Sequence, residues 1–191
     1  MKARFLVLGM LRGGDLHPYE MKRRFEAAMI DCYLSVDVGT LYYAIRQLEK
    51  AGAIEAVAQE RVARGGMRTI YRIKAQGIAE FEEDFYRQFD EDGPVSQTLY
   101  APLLFLHRVD QARLAEAIRG RIARLDNLIA KLAPIRDGMG PSLSTGGKHL
   151  LGHIEEQRRL DRDWLKRLLA DVEAGRVDGA TRPETHPPAG A

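Results

Sequence analysis

The sequence predicts a mainly α-helical protein: an N-terminal winged helix-turn-helix of three helices and a two-stranded wing, followed by an all-α region. Three observations carry this prediction. Apolar residues recur at three- and four-residue spacing through most of the 191 residues. One stretch, after Gly52, switches to short runs rich in β-branched and aromatic residues. Basic side chains surround the Gly65-Gly66 pair inside that stretch.

The elements follow in order. Leu6, Leu8, Met10 and Leu11 form the apolar part of a first short helix, which Gly13-Gly14 ends. Pro18 starts the second, at the first helical position where its missing N–H costs nothing. Tyr19, Met21, Phe25, Ala28 and Met29 give that helix its apolar side, and Lys22, Arg23 and Arg24 its exposed one. A loop over residues 30–36 leads to Asp37, an N-cap whose carboxylate accepts backbone N–H bonds and opposes the positive helix end. The third helix runs to about Ala51, and Gly52 stops it. At 100° per residue, Leu41, Ala44, Ile45 and Leu48 gather inward. Gly39, Tyr43, Arg46 and Lys50 gather on the opposite side, flanked by Tyr42 and Gln47.

Residues 53–57 and 69–73 read as two strands joined by a basic loop that carries Arg61, Arg64 and Arg68. Ile78, Phe81, Phe85 and Phe89 form the seam of an acidic helix over residues 77–92, ended by Gly93-Pro94. A leucine-rich helix follows, in which Pro102 lies in the first turn or causes a kink. Asp110 caps the next helix, with a seam of Leu114, Ile118, Ile122, Leu125, Ile129 and Leu132, closed by Pro134. Residues 137–147 read as a glycine-rich loop and residues 148–174 as a final helix presenting Leu150, Ile154, Trp164, Leu165, Leu168 and Val172. The expected division is 1–76, a winged helix-turn-helix; 77–175, a helical region; and 176–191, a disordered tail.

Composition narrows the class of protein. With 45% hydrophobic and 29% charged residues the chain can bury a core, and its single Cys32 cannot form an internal disulfide or supply a multi-cysteine zinc site. Cys32 is expected to pack between helices two and three. The apolar run from Phe5 to Leu11 is cut by Arg12 and lacks a cleavage site, and nothing approaches a membrane-spanning length, so a cytoplasmic protein without a membrane partner is expected. The formal charge of +2 is an average over unlike parts. Residues 1–75 carry 13 basic and 8 acidic side chains, residues 76–100 carry 1 and 7, and residues 101–191 carry 15 and 12. Such asymmetry points to a nucleic-acid face on the first part.

Four motifs in the first part share an order. They are His17-Pro18-Tyr19-Glu20, Gly39-Thr40-Leu41-Tyr42, the segment from Gln47 to Ile54, and the segment from Ile70 to Gly77. In this order and spacing, residues 4–77 resemble the DNA-binding domain of the PadR family of transcriptional regulators. Pro18 stands where the family usually has glycine, and Tyr43 where proline is common. The C-terminal half is similar to the family's helical dimerisation region through residues 103–108 and 162–168.

The resemblance implies a sequence-specific regulator, a repressor released by a small molecule or another signal, that reads double-stranded DNA as a homodimer on a palindromic operator. Arg46 is then expected at base edges in the major groove, Tyr42 or Tyr43 on the backbone or a thymine methyl, and Gly39 at a point of close approach. Tyr19, Asp37, Thr40, Lys50 and Tyr71 complete the expected DNA-facing set on the domain, with Arg61, Arg64 and Arg68 of the wing on phosphates or in the minor groove. Leu150, Ile154, Trp164, Leu165, Leu168 and Val172 are the expected dimer seam. Trp164 is also a candidate contact for a small aromatic effector.

Two other classes compete. One is a winged-helix module that binds proteins and not DNA; the other is a small enzyme. The Gly-Gly-Lys at 146–148 is followed by His149 rather than Ser or Thr, and no predicted strand precedes it, so it does not read as a phosphate-binding loop. No nucleophile elbow or metal-ligand cluster appears, so no catalytic residue, cofactor or metal is assigned. His149 and His153 have the i, i+4 spacing of a metal pair, but such residues more often face solvent.

Overall fold

The computed structural model describes residues 2–32, 34, 36–61, 67–139 and 143–177. Helix α1, Lys2–Leu11, is apolar on nearly every side: Phe5, Leu6, Val7, Leu8 and Leu11 are all buried. A helix of that kind must be surrounded. It is packed against α3, Val38–Lys50, on one flank and against α4, Ala75–Asp90, on another. Between them run α2, Pro18–Ala27, and a 3-10 turn, Ile30–Cys32. Cys32 in that turn is exposed, which corrects its expected packing role; among the described residues of this connection, Ile30, Leu34 and Val36 are buried.

The wing consists of strands β1, Ile54–Arg61, and β2, Met67–Ile73, paired antiparallel from Ile54 opposite Ile73 to Arg61 opposite Met67. The register shifts between Ala56 and Ala58, where one extra residue bends the strand. Both strands extend further toward the tip than the alternation suggested, so Arg61 and Arg68 belong to strands and not to the loop. Arg64 lies outside the described residues. Leu16 and Tyr71 exchange backbone hydrogen bonds at 3.1 and 2.9 Å, tying the segment before α2 to the wing.

Helix α4 presents its phenylalanine seam to α1. Phe81 stacks on Phe5 at 5.0 Å between ring centroids, and Phe105 meets the edges of both at 5.7 and 5.8 Å. Phe105 also lies on Gly9, where an added Cβ would come within 2.6 Å of its ring. Arg4 of α1 reinforces the pair with hydrogen bonds to both Glu80 carboxylate oxygens at 2.7 and 2.8 Å. The buried apolar residues form one continuous core from Ala3 to Val172.

Beyond α4 the expected leucine-rich helix is broken into pieces: single turns α5, Val95–Thr98, and α6, Tyr100–Leu103, then a 3-10 turn, Leu106–Arg108. Pro102 sits inside α6 and is buried, so the segment is built from short turns that place Leu99, Phe105 and Leu106 in the core. Helix α7, Gln111–Met139, is capped by Asp110, whose carboxylate accepts the Arg113 N–H at 2.7 Å. It continues through Pro134, which costs one backbone hydrogen bond without ending the helix. The expected loop is therefore shorter, since α8 already starts at Thr145 and runs to Glu173, with residues 140–142 outside the described set. Ion pairs of Arg119 with Glu173 and of Arg162 with Asp126 show that α7 and α8 run antiparallel. Gly175 stops α8 with φ of 68°. Arg176 then turns back to Asp171 at 2.7 Å and Val177 packs on the core; residues 178–191, most of the expected tail, lie outside the described residues.

Candidate nucleic-acid interface

The site begins with the cap of α3. Asp37 Oδ1 accepts the Thr40 backbone N–H at 2.7 Å and the Thr40 hydroxyl at 2.9 Å. These two donors hold the Asp37 carboxyl below its ordinary value of 3.8. Asp37 and Thr40 thus satisfy each other and set the starting angle of the helix. Asp37→Ala is expected to lower the melting temperature near neutral pH. Because the folded-state value is depressed, the cap's contribution is present above about pH 4 and is lost as pH falls through the lower folded value. Circular dichroism melts of both proteins should therefore converge on acidification; a constant gap would refute this role.

From that cap, α3 turns Leu41, Ala44, Ile45 and Leu48 into the core. The other face is open: Gly39, Thr40, Tyr42, Tyr43, Arg46 and Lys50 are exposed, Tyr43 at 58%. Neither Arg46 nor Lys50 pairs with a carboxylate among the described residues. Both cations are held on a rigid helix with their charge directed to the surroundings.

The wing is braced to both helices. Arg68 of β2 lies over the Tyr19 ring at 5.2 Å from its centroid, and His17 stacks on the same ring with 6.2 Å between centroids. His17 Nδ1 also accepts the Glu20 N–H at 3.0 Å and so caps α2. The Tyr71 hydroxyl donates to Glu49 Oε2 of α3 at 3.1 Å, and burial, with the Glu49 carboxylate beside it, pushes the phenol up. Sequence reasoning expected both Tyr19 and Tyr71 on the DNA side. Tyr19 is half-exposed beneath Arg68, whereas Tyr71 is partly buried between wing and helix. Arg61 ends β1, and Arg64 falls outside the described residues.

The expected dimer seam on α8 divides. Leu165 and Val172 are buried in the chain's own core, Ile154, Trp164 and Leu168 are half-buried, and Leu150 is 60% exposed. Leu160, which sequence reasoning passed over, is 65% exposed, and Ile135 of α7 is exposed too. Trp164 does not line the cavity bounded by Leu103, Leu104 and Leu168, nor the one bounded by Arg121, Arg124 and Arg158. His149 and His153 are both exposed, and no group of three metal-ligating side chains occurs among the described residues.

A capped helix with an exposed basic and aromatic face, beside a two-stranded wing, is the geometry of a winged-helix reader. The model of the transcriptional regulator PadR-like family matches residues 7–83, from the middle of α1 into α4. Residues 7–83 are a PadR-like domain. Comparison with solved structures gives matches at low sequence identity. The PadR-like transcriptional regulator of Bacillus cereus is 23% identical over 91% of this chain and 99% of its own, with a TM-score of 0.36. PadR of Bacillus subtilis, solved in complex with operator DNA, is 16% identical over 88% and 98%, with a TM-score of 0.40. A Streptococcus mutans protein is 21% identical over 89% and 99%, with a TM-score of 0.41. Comparison with curated proteins gives no match.

Within the PadR-like domain, sequence reasoning missed the contacts that hold the wing. The Arg72 guanidinium grips both Asp15 oxygens, at 3.0 and 2.6 Å, and holds the Asp15 carboxyl below its ordinary range. Glu49 anchors Tyr71. These partners are 57 and 22 residues apart, so no local pattern announces them. The His17 cap did carry a signal, a polar residue directly before a helix-starting proline.

Proposed function

We propose that this chain is a sequence-specific DNA-binding transcriptional regulator that acts as a homodimeric repressor on a palindromic operator and is released by a small-molecule or other signal. Residues 1–76 read DNA, and residues 77–175 hold the dimer. The protein works by binding and not by catalysis. The observation that carries this reading is the outward face of α3, where Arg46 and Lys50 stand beside Tyr42 and Tyr43 with no carboxylate partner among the described residues. The match of residues 7–83 to the PadR-like family supports it. In this reading α3 enters the major groove, and the wing cations Arg61, Arg64 and Arg68 neutralise phosphates or enter the minor groove.

The test is a gel shift on the protein's own promoter DNA with alanine at Arg46, Arg64 and Arg68. The variant is expected to keep the helical circular dichroism of the wild type and to lose DNA retention. Unchanged retention would show that these residues do not carry DNA binding and would favour a module for protein partners. Light scattering is expected near twice the chain mass of 21.5 kDa, before and after substitution; a monomer at micromolar concentration would overturn the dimer.

A further inference from the structure

A second group of cations lies far along the chain from the PadR-like domain. Arg121 and Arg124 of α7 and Arg158 of α8 line an open cavity of about 460 Å³, with Lys131 on the same side of α7 and Asp92 opposite. Leu125 and Leu128 form its apolar part. Arg121 is 1% exposed, the most buried charged residue described. Its Nη2 donates to the Gly93 carbonyl and contacts Thr98 Oγ1 at 3.4 Å, while its Nε and Nη1 have no acceptor. Arg158 Nη1 has none either. Arg124 donates to the Phe89 carbonyl and sits 3.6 and 3.5 Å from Asp90 and Asp92. Asp161, also nearby, already accepts the Val95 N–H at 3.1 Å.

Buried donors are nearly always satisfied, and a guanidinium taken out of water with open N–H groups is costly. Here the cost is compounded, because burial and the neighbouring Arg124 and Arg158 charges all push Arg121 toward losing its proton, with Asp92 and Asp161 opposing them. Water can fill hydrogen bonds but does not offset charge. A group with two or three negatively charged oxygens does both, since it accepts the fork of a guanidinium and the point charge of a lysine together.

We propose that Arg121, Arg124, Lys131 and Arg158 form a binding site for a small molecule bearing an oxyanion, either a carboxylate or a phosphate group, whose apolar part rests on Leu125 and Leu128. The inference does not depend on DNA binding. The geometry assigns Arg121 the innermost contact, with Arg158 and Lys131 closing on the anion from the two helices.

The test uses the full chain, labelled with 15N, and follows the arginine Nε–H resonances as inorganic phosphate or acetate is added, against sodium chloride at equal ionic strength. Saturable shifts with phosphate alone identify a phosphate group, with acetate alone a carboxylate, and with both the tighter-binding of the two. Arg158→Gln and Lys131→Gln, which leave the buried Arg121 in place, are each expected to weaken binding about tenfold, on the order of one charge-assisted hydrogen bond. Their melting curves show that they remain folded. Shifts that fail to saturate, that equal those with chloride, or that survive unchanged in Arg158→Gln overturn the site.

Discussion

Arg46→Ala is expected to weaken operator binding by roughly 5- to 150-fold, the ~1–3 kcal/mol carried by a side chain that reads a base edge. Arg46 is exposed on the outer face of α3, two turns in from the Asp37 cap, and forms no ion pair among the described residues. Its removal therefore leaves the packing of Leu41, Ala44, Ile45 and Leu48 untouched. The loss should depend on the operator sequence, since a base contact discriminates between base pairs. Lys50→Ala, one turn further, is expected to act differently. A phosphate contact weakens all sequences alike and reduces the slope of log affinity against log salt by about one. Fluorescence titrations of operator and scrambled duplexes at several salt concentrations separate the two. Equal losses on both duplexes for Arg46→Ala would remove it from base readout.

Phe81→Ala is expected to destabilise the protein by about 3–5 kcal/mol, the range for deleting a buried phenylalanine ring. Phe81 is fully buried and touches Phe5, Phe85 and Phe105, so its loss opens a cavity bounded by α1, α4 and the turn after α6. For a chain of this length that corresponds to a drop of roughly 6–20 °C in melting temperature. Calorimetry should show one transition, shifted as a whole, because the wing-bearing helices and α7 share a continuous core through α4. Two separate transitions, only one of them shifted, would show that residues beyond α4 fold independently of Phe81.

Both predictions rest on features that are legible in the sequence. The face of α3 follows from a cap and a 3.6-residue period, and the seam of α4 from phenylalanines at three- and four-residue spacing. Other expectations fail. Pro134 reads as a helix end, yet α7 passes through it, since a proline inside a helix removes a single backbone hydrogen bond and the turns on either side can keep theirs. The leucines from 99 to 106 read as one helix, yet the need to bury Phe105 against Gly9 and Phe5 divides them into short turns. Cys32 reads as a small packing residue, yet its turn buries Ile30 and Leu34 instead.

The candidate sites divide in the same way. The basic and aromatic residues of α3 lie where helical periodicity placed them, while the arginine group around Arg121 was not foreseen at all. On the sequence, Arg121 falls on the apolar side of α7, three residues after Ile118 and four before Leu125, a signal that the reading of the seam passed over. Only the approach of Gly93, Thr98 and Arg158, from three other segments, buries it.

Caps, helical periods and the strand-forming stretch depend on residues within about one or two turns of each other, so the sequence by itself determined the element types, the outward face of α3 and the winged-helix class. Which side chains are gripped, buried or left facing a cavity depends on segments brought together from far apart. Arg4 meets Glu80, Arg72 meets Asp15, and Arg121 meets Gly93 only because α1 packs on α4, the wing on the segment between α1 and α2, and α7 on the segment that follows α4. Those encounters are set by the shape of the shared core, and shape is a property of the folded chain.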